Sequence, residues 1–154
     1  MRMHNEKRFS PKSGSNRDIC MHSGRLTRKF QTANSMIAEI SPEYQLVWFT
    51  FSPNPCISLY KPVFFGPISP YYGSAYWEGS KSLHDDLSKI DWNVYSRAME
   101  YTVRSQEIIN GIVSQARERI SRGEVLDDKY ISEIYENVRE IDNRHIEALR
   151  GLLK

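Results

Sequence analysis

The rhythm of apolar and polar positions changes part-way along the chain. Between residues 19 and 65 the apolar side chains come in short blocks, rich in β-branched and aromatic residues and punctuated by Ser, Pro and Gly, which is the pattern of strands. Three or four are predicted, over 19–22, 31–40, 44–51 and 56–60. In the stretch 44–51 strict alternation puts Leu46, Trp48 and Thr50 on one face and Val47, Phe49 and Phe51 on the other. Both faces are apolar, so this strand is expected inside a layered sheet with cover on both sides. The run Ser52-Pro53-Asn54-Pro55 predicts a turn, because each proline removes a donor and pushes its predecessor away from the helical region.

Residues 61–76, with Pro62, Gly66, Pro67, Pro70 and Gly73 among many aromatics, are expected to form an irregular, well-packed connection. Beyond them the period becomes helical. Ile109, Ile112, Val113, Ala116 and Ile120 share one stripe of a helix predicted over 91–121, and Gly123 stands where its C-terminus would be capped. A second helix is signalled by Asp127 or Asp128 as N-cap. Its stripe is Ile131, Ile134, Tyr135, Val138, Ile141, His145, Ala148 and Leu152. The fold class that follows is α+β, with antiparallel strands in the first half and two long C-terminal helices after them.

At 154 residues, with 40% hydrophobic and 26% charged side chains, the chain has the size and composition of one soluble domain, expected over 17–154. Residues 1–30 carry eight Lys/Arg against two Asp/Glu, and the remainder thirteen against seventeen, so the net charge of +2 divides into +6 and −4. The first 16 residues therefore read as a flexible basic arm, with the turn-forming stretch Ser10-Pro11-Lys12-Ser13-Gly14 inside it. The arm has no repeated Arg/Lys block, few aromatics and no zinc-finger or helix-turn-helix pattern, so nucleic acid is not an expected partner. With no apolar run long enough to span a bilayer and no signal-peptide core, the expected location is cytoplasmic and away from the membrane.

Phosphate loops, dinucleotide fingerprints, nucleophile elbows and metalloprotease helix motifs are all missing. Cys20 and Cys56 are the only cysteines and lack the paired spacing of a zinc site, so neither a metal nor a cofactor is expected and both read as reduced thiols. The best local pair is Cys20 and His22, which on a strand would point to the same face and could form a thiolate–imidazolium couple. Against that, free cysteine is among the most buried residue types, which favours a structural reading. His84 with Asp85 and Asp86 could form an acid/base cluster. Near a helix start the two aspartates are more simply capping groups. His145, on the apolar stripe of the last helix, reads as a partly buried, hydrogen-bonded histidine and not a metal ligand.

Three blocks taken in succession carry a resemblance. Ile19-Cys20-Met21-His22, then Thr32-Ala33-Asn34-Ser35-Met36-Ile37, then the run from Phe49-Thr50-Phe51-Ser52-Pro53-Asn54-Pro55-Cys56 to Phe65 resemble the C-terminal half of the secernin-like dipeptidase family, and Trp77-Glu78 and Leu83-His84 are similar to positions farther on in those proteins. The agreement in order and spacing covers residues 17 to about 150. The family belongs to the N-terminal-nucleophile hydrolases, so the resemblance implies half of an αββα sandwich, short peptides as substrates, and peptide-bond hydrolysis by a cysteine whose own α-amino group serves as base.

The nucleophile-bearing half has no counterpart in these residues. Cys20 matches the internal Cys-Met-His block, and activity is expected only together with a partner chain carrying the N-terminal half. Asn34 stands where small residues are usual before Ser-Met; it could donate to an oxyanion or satisfy a strand-end backbone group. The charged cluster usual after the tryptophan is reduced to Glu78, followed by Gly79 and Ser80. Two further readings compete. One is a non-catalytic remnant acting as a self-associating binding or structural module, a homo-oligomer that covers its own strand edges. The other is an independent cysteine hydrolase using Cys20 and His22.

Overall fold

A computed structural model describes residues 20–23, 30–64 and 72–154. The predicted basic arm, residues 1–16, lies outside the described residues. Three strands, β1 (Met36–Ile40), β2 (Gln45–Phe49) and β3 (Lys61–Val63), form an antiparallel sheet in the order β1-β2-β3. Three helices follow: α1 (Ser74–Leu87), α2 (Trp92–Ser121) and α3 (Asp128–Gly151). The class is α+β, with one helix more than the sequence pattern predicts. On α1 the buried stripe is Ser80, Leu83, His84 and Leu87, half of it polar, so the apolar period that betrays the other two helices is weak there.

The β1–β2 hairpin closes through Ser41-Pro42-Glu43-Tyr44, where Ser41 N donates to Tyr44 O (3.0 Å) and Ser41 Oγ accepts from Glu43 N and Tyr44 N. Its register pairs Ile37 with Trp48 and Glu39 with Leu46. These side chains share the face on which α2 and α3 pack. Leu46 and Trp48 join Ile109, Val113 and Ala116 of α2 and Ile131, Ile134, Val138 and Ile141 of α3 in one core. Each large side chain so buried stabilises the fold by roughly 1.5–3 kcal/mol. Glu39 adds a polar clamp: it accepts from Trp48 Nε1 at 2.6 Å and pairs with Arg117 of α2, whose guanidinium lies over the Trp48 ring.

The long helices start and stop where the sequence says they should. Asp91 caps α2 by accepting from Asn93 N (2.7 Å) and Val94 N (3.2 Å), and Asp127 caps α3 by accepting from Tyr130 N (2.7 Å). Gly123 just beyond α2 has φ +80°, the left-handed turn that a helix C-terminus reserves for glycine.

Other expectations are corrected. The stretch 56–60 is not a strand; Pro55–Ile57 form a turn of 3-10 helix led by Asn54 at φ 55°, since proline at the first helical position supplies the required φ and lacks only a donor that would be orphaned. The strand expected there comes slightly later, as β3 inside the supposed irregular connection, and Pro62 is tolerated because β3 is an edge. The predicted 44–51 strand stops at Phe49, and Phe51 turns left-handed (φ 52°). The 31–40 strand is confined to its second half. Cys20–His22 lie outside any strand, although Met21 is tied to Thr32. Finally, α2 and α3 pack on one face of β2. On the other face Val47, Phe49 and Val63 are half-buried, while Met36 and Ile40 are 60% and 81% exposed.

Candidate functional site

Thr32 builds the site. Its backbone N donates to Met21 O (2.9 Å), its Oγ1 accepts from Met21 N (2.9 Å), and its carbonyl accepts from Asn54 N (3.2 Å). One residue thus holds the Cys20–His22 segment against the Pro55–Ile57 turn, and Cys20 meets Cys56 across 36 residues of chain. The two Sγ atoms are 3.4 Å apart. His22 Nε2 lies 3.5 Å from Cys20 Sγ and 3.4 Å from Cys56 Sγ. Tyr95, placed in the first turn of α2 by the Asp91 cap, closes the group with its hydroxyl 3.0 Å from Cys56 Sγ and 3.4 Å from His22 Nε2.

All four side chains are buried, Cys20 to 1% and His22 to 2% exposure, and the pocket around them is apolar, with Ile57, Leu83, Leu87, Ala98 and Leu149 in the same cluster. Burial pushes the Cys56 thiol well above its ordinary pKa, and the neighbouring Cys20 adds to the effect; the Tyr95 phenol is raised for the same reason. A thiol held neutral and sealed from solvent is a poor nucleophile. Cys20 and His22 are adjacent, but off any strand and in a closed setting. Neither cysteine is in a disulfide, and Cys20, His22 and Cys56 together offer three metal-ligand atoms within 4.8 Å of one another.

Asn34 stands elsewhere, exposed, with its amide oxygen accepting from Ser35 N (2.8 Å), Thr50 Oγ1 (2.8 Å) and Phe51 N (3.0 Å). That oxygen holds the left-handed bend at Phe51, the backbone role the sequence allows for it. Ser35 Oγ meets Tyr60 OH at 2.8 Å.

His84 and His145 serve a second buried centre. His84 Nδ1 donates to Pro53 O (2.8 Å) and His145 Nε2 to Ile57 O (3.1 Å), both gripping the turn that carries Cys56. Burial, with smaller contributions from His145 and Lys61, pushes the His84 pKa down to about 4 and lowers that of His145. Asp85 and Asp86 are not at a helix start; they lie at the end of α1, paired with Lys81 and Lys89. Beside the histidines, Lys61 Nζ donates to Thr50 O (2.9 Å) and Leu59 O (3.1 Å) and pairs with Asp142 at 3.4 Å, both side chains fully enclosed. Sequence reasoning reads Cys56 as a reduced thiol without linking it to His22, and passes over Tyr95, Lys61 and Asp142. The one visible signal is Lys61 itself, a lone charge between the apolar runs 56–60 and 62–65.

No family model, curated protein or solved structure matches the chain. Among the described residues no helix is long and apolar enough to cross a membrane.

Proposed function

We propose that the chain is the C-terminal half of a secernin-like cysteine hydrolase of short peptides, supplying one sheet and its helical layer to an enzyme whose N-terminal cysteine is carried on another segment. The observation that supports this reading is the convergence of the three sequence blocks on which the resemblance rests. They are separate in sequence, yet Met21, Thr32 and Asn54 are hydrogen-bonded in series, Asn34 bonds to Thr50 and Phe51, and Cys20 touches Cys56. A set of blocks kept for one structural unit would look like this. The exposure of Met36 and Ile40 on the face away from α2 and α3 agrees: in a two-sheet sandwich that face is where a second sheet packs.

In this reading the nucleophile is a cysteine freed at a chain N-terminus, activated by its own α-amino group. Cys20 and Cys56 take no part as nucleophiles. The test is to assay the purified chain for dipeptide hydrolysis alone and mixed with the N-terminal half of a secernin-like hydrolase, with the mass of each sample measured by light scattering. The chain alone should be inactive, and the mixture should form a one-to-one complex that hydrolyses dipeptides. Absence of both complex and activity rejects the proposal, as does activity of the isolated chain that is abolished by Cys20→Ala.

A second reading, a self-associating structural module, is favoured by the 60% and 81% exposure of Met36 and Ile40 on the edge strand β1. It predicts a defined homo-oligomer that persists when the N-terminal half is added.

A further inference from the structure

We infer that Cys20, His22 and Cys56 form a structural zinc site, with two thiolates and one imidazole as ligands and the Tyr95 hydroxyl closing the fourth side. The argument is first one of lengths. A tetrahedral Zn²⁺ with Zn–S of about 2.3 Å and Zn–N of about 2.0–2.1 Å needs its ligands about 3.8 Å (S to S) and about 3.5 Å (S to N) apart. The three edges measure 3.4 Å for Cys20 to Cys56, 3.5 Å for Cys20 to His22 and 3.4 Å for Cys56 to His22. The donors therefore already stand near the corners of one tetrahedral face, and a shift of a few tenths of an ångström between the sulfurs completes it. Tyr95 Oη, 3.4 Å from His22 Nε2 and 3.0 Å from Cys56 Sγ, is within reach to act as a fourth ligand or a capping hydrogen-bond partner.

Charge favours the same ion. Two thiolates balance a divalent cation, so the loaded cluster is neutral, as a site walled by Ile57, Leu87 and Leu149 requires. A monovalent ion on the same ligands would leave a net negative charge in that apolar wall. Binding releases two thiol protons to solvent and takes the imidazole neutral, with no change of oxidation state. Because Cys20, His22, Cys56 and Tyr95 are all buried, the site resembles closed structural zinc sites and not catalytic ones that keep a vertex open to water. Its effect would be to pin the segment before the sheet, the Pro55–Ile57 turn and the start of α2 to one point.

The test is a titration of the reduced 154-residue chain with Co²⁺ as a spectroscopic probe, followed by displacement with Zn²⁺. One Co²⁺ per chain should bind with the intense visible bands of tetrahedral coordination and a near-ultraviolet thiolate-to-cobalt charge-transfer band of two-sulfur intensity. The chain has only two cysteines, so that intensity assigns Cys20 and Cys56 without a variant. Removing a ligand should cost more than losing a supporting partner does, so Cys20→Ser, Cys56→Ser or His22→Gln should weaken binding by at least about 100-fold. Tyr95→Phe should keep the two-sulfur band and shift only the visible ones. A folded, reduced wild-type chain that binds no Co²⁺, or binds it without a thiolate band, overturns the proposal. So does a Cys20–Cys56 disulfide that persists in reductant. The result is independent of the hydrolase reading, because it uses the chain alone and no peptide substrate.

Discussion

Two buried polar centres flank the Pro53–Tyr60 segment, and they are built on opposite plans. In the first, Cys20, His22, Cys56 and Tyr95 direct their polar atoms at one another, at separations of 3.0 to 3.5 Å. In the second, His84, His145 and Lys61 each end on a different backbone carbonyl, of Pro53, Ile57 and of Thr50 and Leu59. Groups that face a common point are arranged as ligands are. Groups that terminate on the main chain are arranged to hold it, satisfying the carbonyls of a turn that contains two prolines and a left-handed Asn54. The first centre is where chemistry can be added, and the second is what keeps the turn in place for it.

The contrast predicts unequal effects on stability, the largest at Lys61–Asp142. Asp142→Ala leaves a fully buried ammonium without its carboxylate and should destabilise the fold by about 3–5 kcal/mol, measured by urea unfolding. The double variant Lys61→Met with Asp142→Leu should recover most of that loss, because two well-packed apolar groups need no solvation. Equal losses in the single and double variants would mean that the pair's backbone contacts, and not its charges, hold the turn.

Next in size is an effect of pH. His84 has a folded pKa of about 4 against an ordinary value of 6.5, so the unfolded chain binds its proton first as the solution is acidified. The stability from keeping it neutral is complete above about pH 6.5, is lost between there and about pH 4, and amounts to roughly 3 kcal/mol at about 1.4 kcal/mol per pH unit. His145, shifted in the same direction, steepens the fall. In His84→Gln the slope of stability against pH over this window should flatten; an unchanged slope would take the histidine out of the second centre's account.

Tyr95→Phe, in the first centre, should cost only about 0.5–1.5 kcal/mol in the metal-free chain, because a hydroxyl facing a thiol and an imidazole is one ordinary hydrogen bond. A loss as large as that of Asp142→Ala would erase the distinction between the two centres.

How far these features can be read from the sequence follows from how local their causes are. The α2 and α3 boundaries depend on caps and on a 3.6-residue period, both written within a few residues, and Gly123 and Asp127 stand where that logic puts them. The α1 helix escapes because His84 and Ser80 occupy its buried stripe, polar residues whose burial makes sense only once Pro53 O is known to lie opposite His84. The strand expected over 56–60 fails for a related reason: β propensity there competes with Pro55 at a helical first position, and the local turn wins. The Cys20–His22 half of the site is legible as a two-residue spacing. Cys56 and Tyr95 join it through Thr32 and the Asp91 cap, contacts that link residues tens of positions apart and leave no periodic trace.

The smallest effect on stability concerns the two faces of the sheet. The Leu46–Trp48 core lies on the side that α2 and α3 cover. Ile40, paired with Gln45 at the open end of β1, points to the other side and is 81% exposed, so Ile40→Lys removes little buried area and should change stability by less than about 0.5 kcal/mol. Its consequence should appear in association instead. If the open face packs against the second sheet of a hydrolase, a lysine there must be desolvated on docking, and the complex with the N-terminal half should weaken by at least about tenfold, or 1.4 kcal/mol. If the same face mediates self-association, light scattering should show the wild-type oligomer shifting towards monomer. An Ile40→Lys chain that unfolds earlier than wild type and associates just as tightly would place Ile40 in the core of this chain, and would remove the exposed face of β1 from the argument for a missing layer.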